Sequence, residues 1–143
     1  MTTLGLAQAN AIIDAAFARA GELGLKPLGV AVLDAGGHLI AYQRQDGASF
    51  LRLQVASGKA YGALGMGAGS RWLQGVAIDR PHFAAALSVA SGGKVVPVAG
   101  GALVRTREGG ILGAVGISGD TADNDEACAI AGIEAAGFVG DGG

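Results

Sequence analysis

The sequence has few of the residues that mark disulfide-stabilised, membrane-spanning or base-stacking proteins. Among 143 residues there are one cysteine, three prolines, one tryptophan, two tyrosines and four phenylalanines. A single cysteine, Cys128, cannot form an intrachain disulfide, which favours a reducing compartment. No apolar run reaches the roughly 18 residues of a membrane span. The N-terminus shows no basic leader followed by an apolar core. We therefore expect a cytoplasmic protein that does not enter a membrane.

Charge is also scarce, and this restricts the partners of the chain. The formal net charge is −2, and the basic residues are scattered rather than clustered. Together with the few aromatic residues, this excludes a nucleic-acid-binding surface. Half of the residues are hydrophobic, and the mean hydropathy is +0.44. Such a composition predicts that the chain hides apolar surface in a homo-oligomer.

Glycine, in contrast, is abundant at 27 residues, and its most telling stretch is 109–126. This stretch predicts a buried strand, a turn and the acidic start of the last helix. Gly113 and Gly116 indicate close approach to the strand by either a ligand or the backbone of a packed helix. A phosphate cradle is disfavoured because four carboxylates follow, which suit the helix N-terminus instead. Their spacing also lacks the pattern of a calcium loop, so we expect no metal site.

Apolar periodicity and turn residues predict one α+β domain over residues 1–143. Helices are expected at 6–23, 49–66, 70–73, a segment beginning at Asp79, and 122–136. Strands are expected at 27–33, 38–44, 95–98, 101–106 and 111–118. Short connections make the last three strands antiparallel. The expected assembly is a five-stranded antiparallel sheet flanked by helices, with residues 138–143 as a disordered tail.

A few polar residues are placed where they could serve a ligand. Asp34 and His38 flank a glycine turn, where aspartate caps backbone amides and imidazole can bind haem iron. Three further charges are expected to face inward: Arg44, Asp46 and Lys59. Two cations near a glycine-lined wall favour a carboxylate ligand, and an enclosed lysine can act as a base or nucleophile.

The last candidate is an acidic residue at the start of the final helix. Glu126 is separated from the capping carboxylates because it lies next to the glycine-rich strand. Lys59, Asp46 and Glu126 are therefore the catalytic candidates, if the chain is an enzyme. Spacing alone pairs none of them with a second catalytic group.

These residues stand in motifs that resemble the GlcG/HbpS family of haem-binding and haem-degrading proteins, which is similar to the C-terminal domain of PduO-type adenosyltransferases. The resemblance covers nearly the whole chain. Its markers are residues 32–39 (VLDAGGHL), 44–48 (RQDGA), Lys59-Ala60, Gly100-Gly101, 113–119 (GAVGISG) and Asp125-Glu126.

The resemblance implies a profilin-like fold, assembly into dimers or larger rings, and haem or a related tetrapyrrole as ligand. It also implies a histidine as haem ligand, for which His38 is the candidate here. The chain departs from many relatives at residues 71–91 and 103–110, which bears on the shape of the pocket.

Two functions follow from these observations. In the first, the chain binds haem or a related tetrapyrrole through an apolar cleft and His38. In the second, it binds or converts a small carboxylate metabolite, such as glycolate, through Arg44 and Lys59. The expected ligand-binding set is Asp34, His38, Arg44, Asp46, Lys59, Gly113 and Gly116.

Overall fold

The computed structural model describes residues 3–143 and contains five helices and five strands in those residues. The helices are α1 (Leu6–Leu23), α2 (Arg52–Met66), α3 (Ser70–Asp79), α4 (Pro81–Ala90) and α5 (Ala122–Ala135). The strands are β1 (Gly29–Asp34), β2 (Leu39–Arg44), β3 (Gly101–Arg105), β4 (Ile111–Ser118) and β5 (Val139–Asp141). None of these helices combines the length and apolar character that crossing a membrane requires.

All five strands pair antiparallel in one sheet, in the order β2-β1-β4-β3-β5. The predicted α+β class and five-stranded antiparallel sheet are therefore confirmed. The glycine-rich strand β4 lies at the centre, between β1 and β3. Gly29 of β1 is aligned with Ser118 of β4 on one side and with Arg44 of β2 on the other.

The larger core lies between the sheet and the helices α1 and α5. Successive side chains of a strand point to opposite faces, so alternate residues of β1 and β4 reach this core. Large aliphatic side chains fill it, and all of the following are fully buried: Ile12, Ile13, Val30, Val32, Val115, Ile117 and Ile133. Burying each such side chain contributes about 1.5–3 kcal/mol, so this face supplies most of the apolar stabilisation.

The opposite face of the sheet is covered by α2, which lies close to the strands because small residues separate them. Ala56, Ala60 and Ala63 are buried on the helix, and Ala114 and Gly116 are buried on β4. A side-chain carbon added at Gly116 would collide with the carbonyl oxygen of Ala56. The glycine therefore permits contact between the helix backbone and the strand.

The structure changes two expectations about strands. Residues 95–98 do not form a strand, although Val96 donates one backbone hydrogen bond to the carbonyl of Gly58 (3.2 Å). The fifth strand is instead β5, within the 138–143 segment that was predicted to be a disordered tail. Strand β5 pairs with the outer edge of β3, and Arg105 Nε donates to Asp141 Oδ2 at 2.9 Å. An open strand edge provides unpaired backbone groups, and the last residues satisfy them.

Two helix boundaries also differ. Helix α2 begins at Arg52, because Ser49 Oγ accepts the amide of Leu51 (3.2 Å) in a turn before the helix. Helix α3 continues to Asp79, which therefore ends one helix and does not cap the next. Pro81 begins α4, where its missing N–H costs no hydrogen bond.

Candidate functional site

Asp34 organises the tight turn between β1 and β2. Its Oδ1 accepts hydrogen bonds from the amides of His38 (3.0 Å) and Gly36 (2.9 Å), and Gly37 takes a φ of +85°. These bonds, led by the one from His38, lower the pKa of Asp34 against the opposing effect of burial. The turn is therefore held with an ionised carboxylate at its centre.

His38 is oriented by the same carboxylate. Its Nδ1 lies 3.2 Å from Asp34 Oδ1, and 81% of the side chain is exposed. The other ring nitrogen, Nε2, has no hydrogen-bond partner within residues 3–143. A histidine held in this way presents Nε2 as a lone-pair donor, because a carboxylate on Nδ1 fixes the ring and its tautomer.

A cleft of about 380 Å³ opens beside this turn, between α2 and the loop at residues 93–94; we call it the α2 cleft. Its lining is Leu33, Gly37, Leu39, Leu53, Gln54, Ser57, Gly58, Tyr61, Gly93 and Lys94. Lys94 is its one charged lining residue among the residues described, and its Nζ lies 5.5 Å from the ring centre of Tyr61. His38 is flanked in sequence by two lining residues, Gly37 and Leu39, without lining the cleft itself.

Gly113 and Gly116 do not line the α2 cleft. They are three residues apart on β4 and therefore lie on opposite faces of the sheet. A side-chain carbon at Gly113 would meet the Leu33 carbonyl and the Leu4 side chain, whereas at Gly116 it would meet the backbone of Ala56. Of the two sequence interpretations, packing of a helix backbone accounts for Gly116, whereas Gly113 is approached by the neighbouring strand β1 and by Leu4. The two glycines therefore do not both line one pocket, although both were expected in the ligand-binding set.

Lys59 lies inward, as its alanine surroundings predicted, but its ammonium group is paired with a carboxylate of the chain itself. Its Nζ donates to the carbonyl of Ile117 (2.8 Å) and to Asp125 Oδ2 (3.2 Å), and both side chains are buried. Burial lowers the pKa of Lys59, and the charge of Asp125 opposes that change. Asp125 Oδ1 accepts the amide of Asp120 (3.0 Å), so this ion pair joins α2, β4 and the start of α5.

Asp125, rather than the predicted Glu126, is the acid that pairs with Lys59. The signal was available, because the buried residues of α5 are Asp125, Cys128, Ala129, Gly132 and Ile133, which follow helical spacing. Glu126 directly follows Asp125 and lies outside this buried set of residues. It is half-buried, and its Oε2 accepts a hydrogen bond from Arg71 Nε at 2.6 Å. Asp123 also pairs with Arg71, and these two carboxylates raise the pKa of the guanidinium.

Arg44 and Asp46 are both exposed, contrary to the expectation that they face inward. They stand at the end of β2 opposite to His38, which directly precedes that strand. Six residues of strand correspond to roughly 20 Å. Four of the seven expected ligand-binding residues are thus divided between the two ends of this strand, with Asp34 and His38 at one end and Arg44 and Asp46 at the other.

The model of the family described as "Haem degrading protein HbpS-like" matches residues 4–134 of the chain. The chain belongs to the HbpS-like family. None of the curated proteins matches the sequence.

Solved structures agree with this membership. The chain is similar to PduOC in its haem complex, with 28% identity over 96% of this chain and 97% of the other, at a TM-score of 0.83. It is also similar to a double mutant of HbpS from Streptomyces reticuli, with 27% identity over 94% and 87% of the two chains, at a TM-score of 0.78. Protein ORFY of Klebsiella pneumoniae shares 25% identity over 95% and 92%, at a TM-score of 0.84.

Proposed function

We propose that this HbpS-like protein binds haem or a related tetrapyrrole at the α2 cleft, with His38 as the ligand to iron. The observation that carries the proposal is the Asp34–His38 pair, which stands at the rim of an apolar cleft. The haem complex of PduOC, which has the same fold, supports this choice of ligand.

The donor set suits haem iron. Proximal histidines bind iron through one ring nitrogen, and the other nitrogen is commonly held by a carboxylate or carbonyl. In this chain Asp34 Oδ1 occupies the second role, at 3.2 Å from His38 Nδ1. Bound haem would supply a redox-active iron. Asp34 would hold His38, the ligand to that iron, in position.

The lining of the cleft suits the remainder of a tetrapyrrole. Leu33, Leu39 and Leu53 present aliphatic surface, and Tyr61 presents an aromatic ring. A volume of about 380 Å³ lies in the range of small-molecule sites, which bury apolar surface around a few polar groups. Lys94, at the margin, offers an ammonium group to a propionate.

Titration with hemin, followed by the Soret band, tests the proposal. Wild-type protein should bind saturably, and His38→Ala should weaken binding at least tenfold and shift the band, because the iron loses its protein ligand. Asp34→Asn retains the oxygen that accepts the turn amides but removes its charge, and should weaken binding about tenfold.

His82→Ala is the matched control, because His82 is the other histidine and is exposed on α4. It should bind hemin like the wild type. Absence of saturable binding by the wild type would overturn the proposal. Equal behaviour of His38→Ala and His82→Ala would remove His38 as ligand. Loss of the Soret band under a reductant and oxygen that is faster than the loss from free hemin would add haem degradation to binding.

We also propose that the protein forms a homo-oligomer through α3 and α4. Ile78, Phe83 and Val89 are exposed, and α4 buries only Ala84 and has no Asp, Glu, Lys or Arg. Apolar surface of this kind favours a second copy of the chain. Light scattering coupled to size exclusion should give a molar mass at least twice the 13.9 kDa of one chain. Val89→Glu should lower that mass. A monomeric wild type would contradict this.

A further inference from the structure

A second group of polar side chains lies at the other end of the sheet, far from His38. It surrounds Gly29, and its members are all potential hydrogen-bond donors; we call it the arginine cluster, consisting of Tyr42, Arg44, Arg52 and Ser118. Arg44 and Ser118 are the sheet neighbours of Gly29, one on each side.

Because Gly29 has no side chain, the side chains of Tyr42 and Arg52 can approach its backbone closely. A side-chain carbon at Gly29 would lie 2.7 Å from the Tyr42 hydroxyl and 2.8 Å from Arg52 Cβ. Tyr42 and Arg44 share one face of β2, because they are two residues apart. Arg52 reaches the same place from the first turn of α2, and its Nη1 donates to Ser118 Oγ at 3.0 Å.

The cluster contains buried hydrogen-bonding groups without partners. Tyr42 Oη and Arg52 Nε are buried from solvent and have no hydrogen-bond partner within residues 3–143. A buried donor left unpaired costs about 1–3 kcal/mol, so native proteins normally satisfy such groups. Two of them in one cluster indicate that an acceptor from outside the chain belongs there.

The charges of the cluster are also uncompensated. No carboxylate in the described part of the chain lies within ion-pair distance of Arg44 or Arg52, although Asp46 is close in sequence to Arg44. Burial raises the pKa of Tyr42, while Arg44 and Arg52 oppose that change. The hydroxyl therefore stays protonated and can donate a hydrogen bond. Arg44 is exposed and Tyr42 and Arg52 are half-buried, so the donors extend from solvent to the interior.

We infer that the arginine cluster is a second binding site, which takes a small oxyanion of the carboxylate or phosphate class. Arginine donates in a fixed planar geometry that matches two oxygens of such an ion, and a tyrosine hydroxyl adds a third donor. This site retains the anion chemistry that the sequence predicted for Arg44. Lys59 is not part of the site because it is paired with Asp125. Tyr42 and Arg52 take the role that was predicted for Lys59.

Calorimetric titration of the haem-free protein tests the site, with formate, glycolate and inorganic phosphate as separate probes at constant ionic strength. At least one probe should bind saturably to the wild type. Arg52→Gln should weaken that binding more than tenfold, and Tyr42→Phe, which removes one hydroxyl without changing charge, should weaken it about three- to tenfold. Binding of formate and glycolate alone assigns a carboxylate ligand, and binding of phosphate alone assigns a phosphate.

Arg107→Gln is the matched control, because it removes one exposed arginine that makes no side-chain hydrogen bond or ion pair to the described residues. It should leave anion binding unchanged. Three results overturn the inference: no saturable binding of any probe, equal weakening by Arg107→Gln, or wild-type binding by Tyr42→Phe. The phenylalanine variant preserves charge and ring packing, so it decides the question even if Arg52→Gln fails to fold.

Discussion

The two faces of the sheet differ in the size and polarity of their side chains. Toward α1 and α5, the sheet presents large aliphatic residues such as Val115 and Ile117, all fully buried. Toward α2, it presents Ala114 and Gly116. This face also contains an ion pair and two buried donors that have no partner among residues 3–143. Large apolar side chains stabilise without specifying a ligand, whereas polar groups in a tight environment cost stability and are retained where they bind something. The α2 face is therefore where both proposed binding sites lie.

The largest effect should come from breaking the buried ion pair of the α2 face. Lys59→Met leaves Asp125 ionised and buried without its cation, and such a change costs about 3–5 kcal/mol. We expect that loss in the free energy of unfolding, measured with urea. Adding Asp125→Asn removes the stranded charge and should restore part of the stability. A loss below 1 kcal/mol for Lys59→Met would show that the α2 face does not depend on this pair.

A smaller loss should follow from adding one methyl group beneath α2. Gly116→Ala introduces a carbon against the Ala56 carbonyl, and the overpacking should cost about 1–3 kcal/mol in urea unfolding. The matched control is Gly75→Ala in α3, where a side-chain carbon meets nothing within 4 Å. Because alanine favours a helix, that variant should gain about 0.5–1 kcal/mol. Equal effects of the two substitutions would refute the close contact between α2 and β4.

The aliphatic face should respond to substitution in stability but not in binding. Ile133→Val removes one methylene from the core between α5 and the sheet, and should cost about 0.5–1.5 kcal/mol. Its affinities for hemin and for small anions should equal those of the wild type at a temperature where both are folded. A tenfold change in either affinity would contradict the separation of the two faces.

The smallest effect concerns the dependence of stability on pH. Hydrogen bonds from Asn124 and from the amides of Lys26 and Thr121 lower the pKa of Asp120 to about 2 from 3.8. Because the folded-state pKa is depressed, the contribution of Asp120 is present above pH 4 and is lost as the pH falls toward 2. Asp120→Ala should therefore flatten this part of the acid unfolding curve.

Asp14→Ala is the control for this change, because Asp14 is exposed on α1 and its carboxylate accepts no hydrogen bond from the described residues. Its acid unfolding curve should follow that of the wild type between pH 4 and pH 2. A curve for Asp120→Ala that also follows the wild type would show that these hydrogen bonds do not persist in solution.

Elements with strong local patterns were predicted closely. Helix α1 matches its predicted range of 6–23, and β4 matches 111–118, because apolar spacing in each is set within the element. Strand β5 was missed because its three residues carry no periodic pattern, and its pairing depends on the open edge of β3. The predicted number of five strands was right only because the unexpected strand β5 makes up for the strand that was expected at 95–98.

The predicted site fared differently from the fold. The placement of Asp34 and His38 in one turn follows from local sequence, because only three residues separate them. Tyr42 and Arg52 were missed because they come from different elements, and their donors meet only through the packing of α2 on the sheet. Their roles in binding remain predictions.

The sequence by itself determined helices α1 to α5, strands β1 to β4 and the turn that holds His38, because short-range periodicity and turn chemistry act within a few residues. Its motifs indicated the family. Only the tertiary structure decided which acid at the start of α5 is buried with Lys59, and which face of β4 each glycine serves. The physical reason is that burial and pairing depend on neighbours distant in sequence. The same carboxylate or guanidinium is a surface charge in one packing and the centre of a site in another.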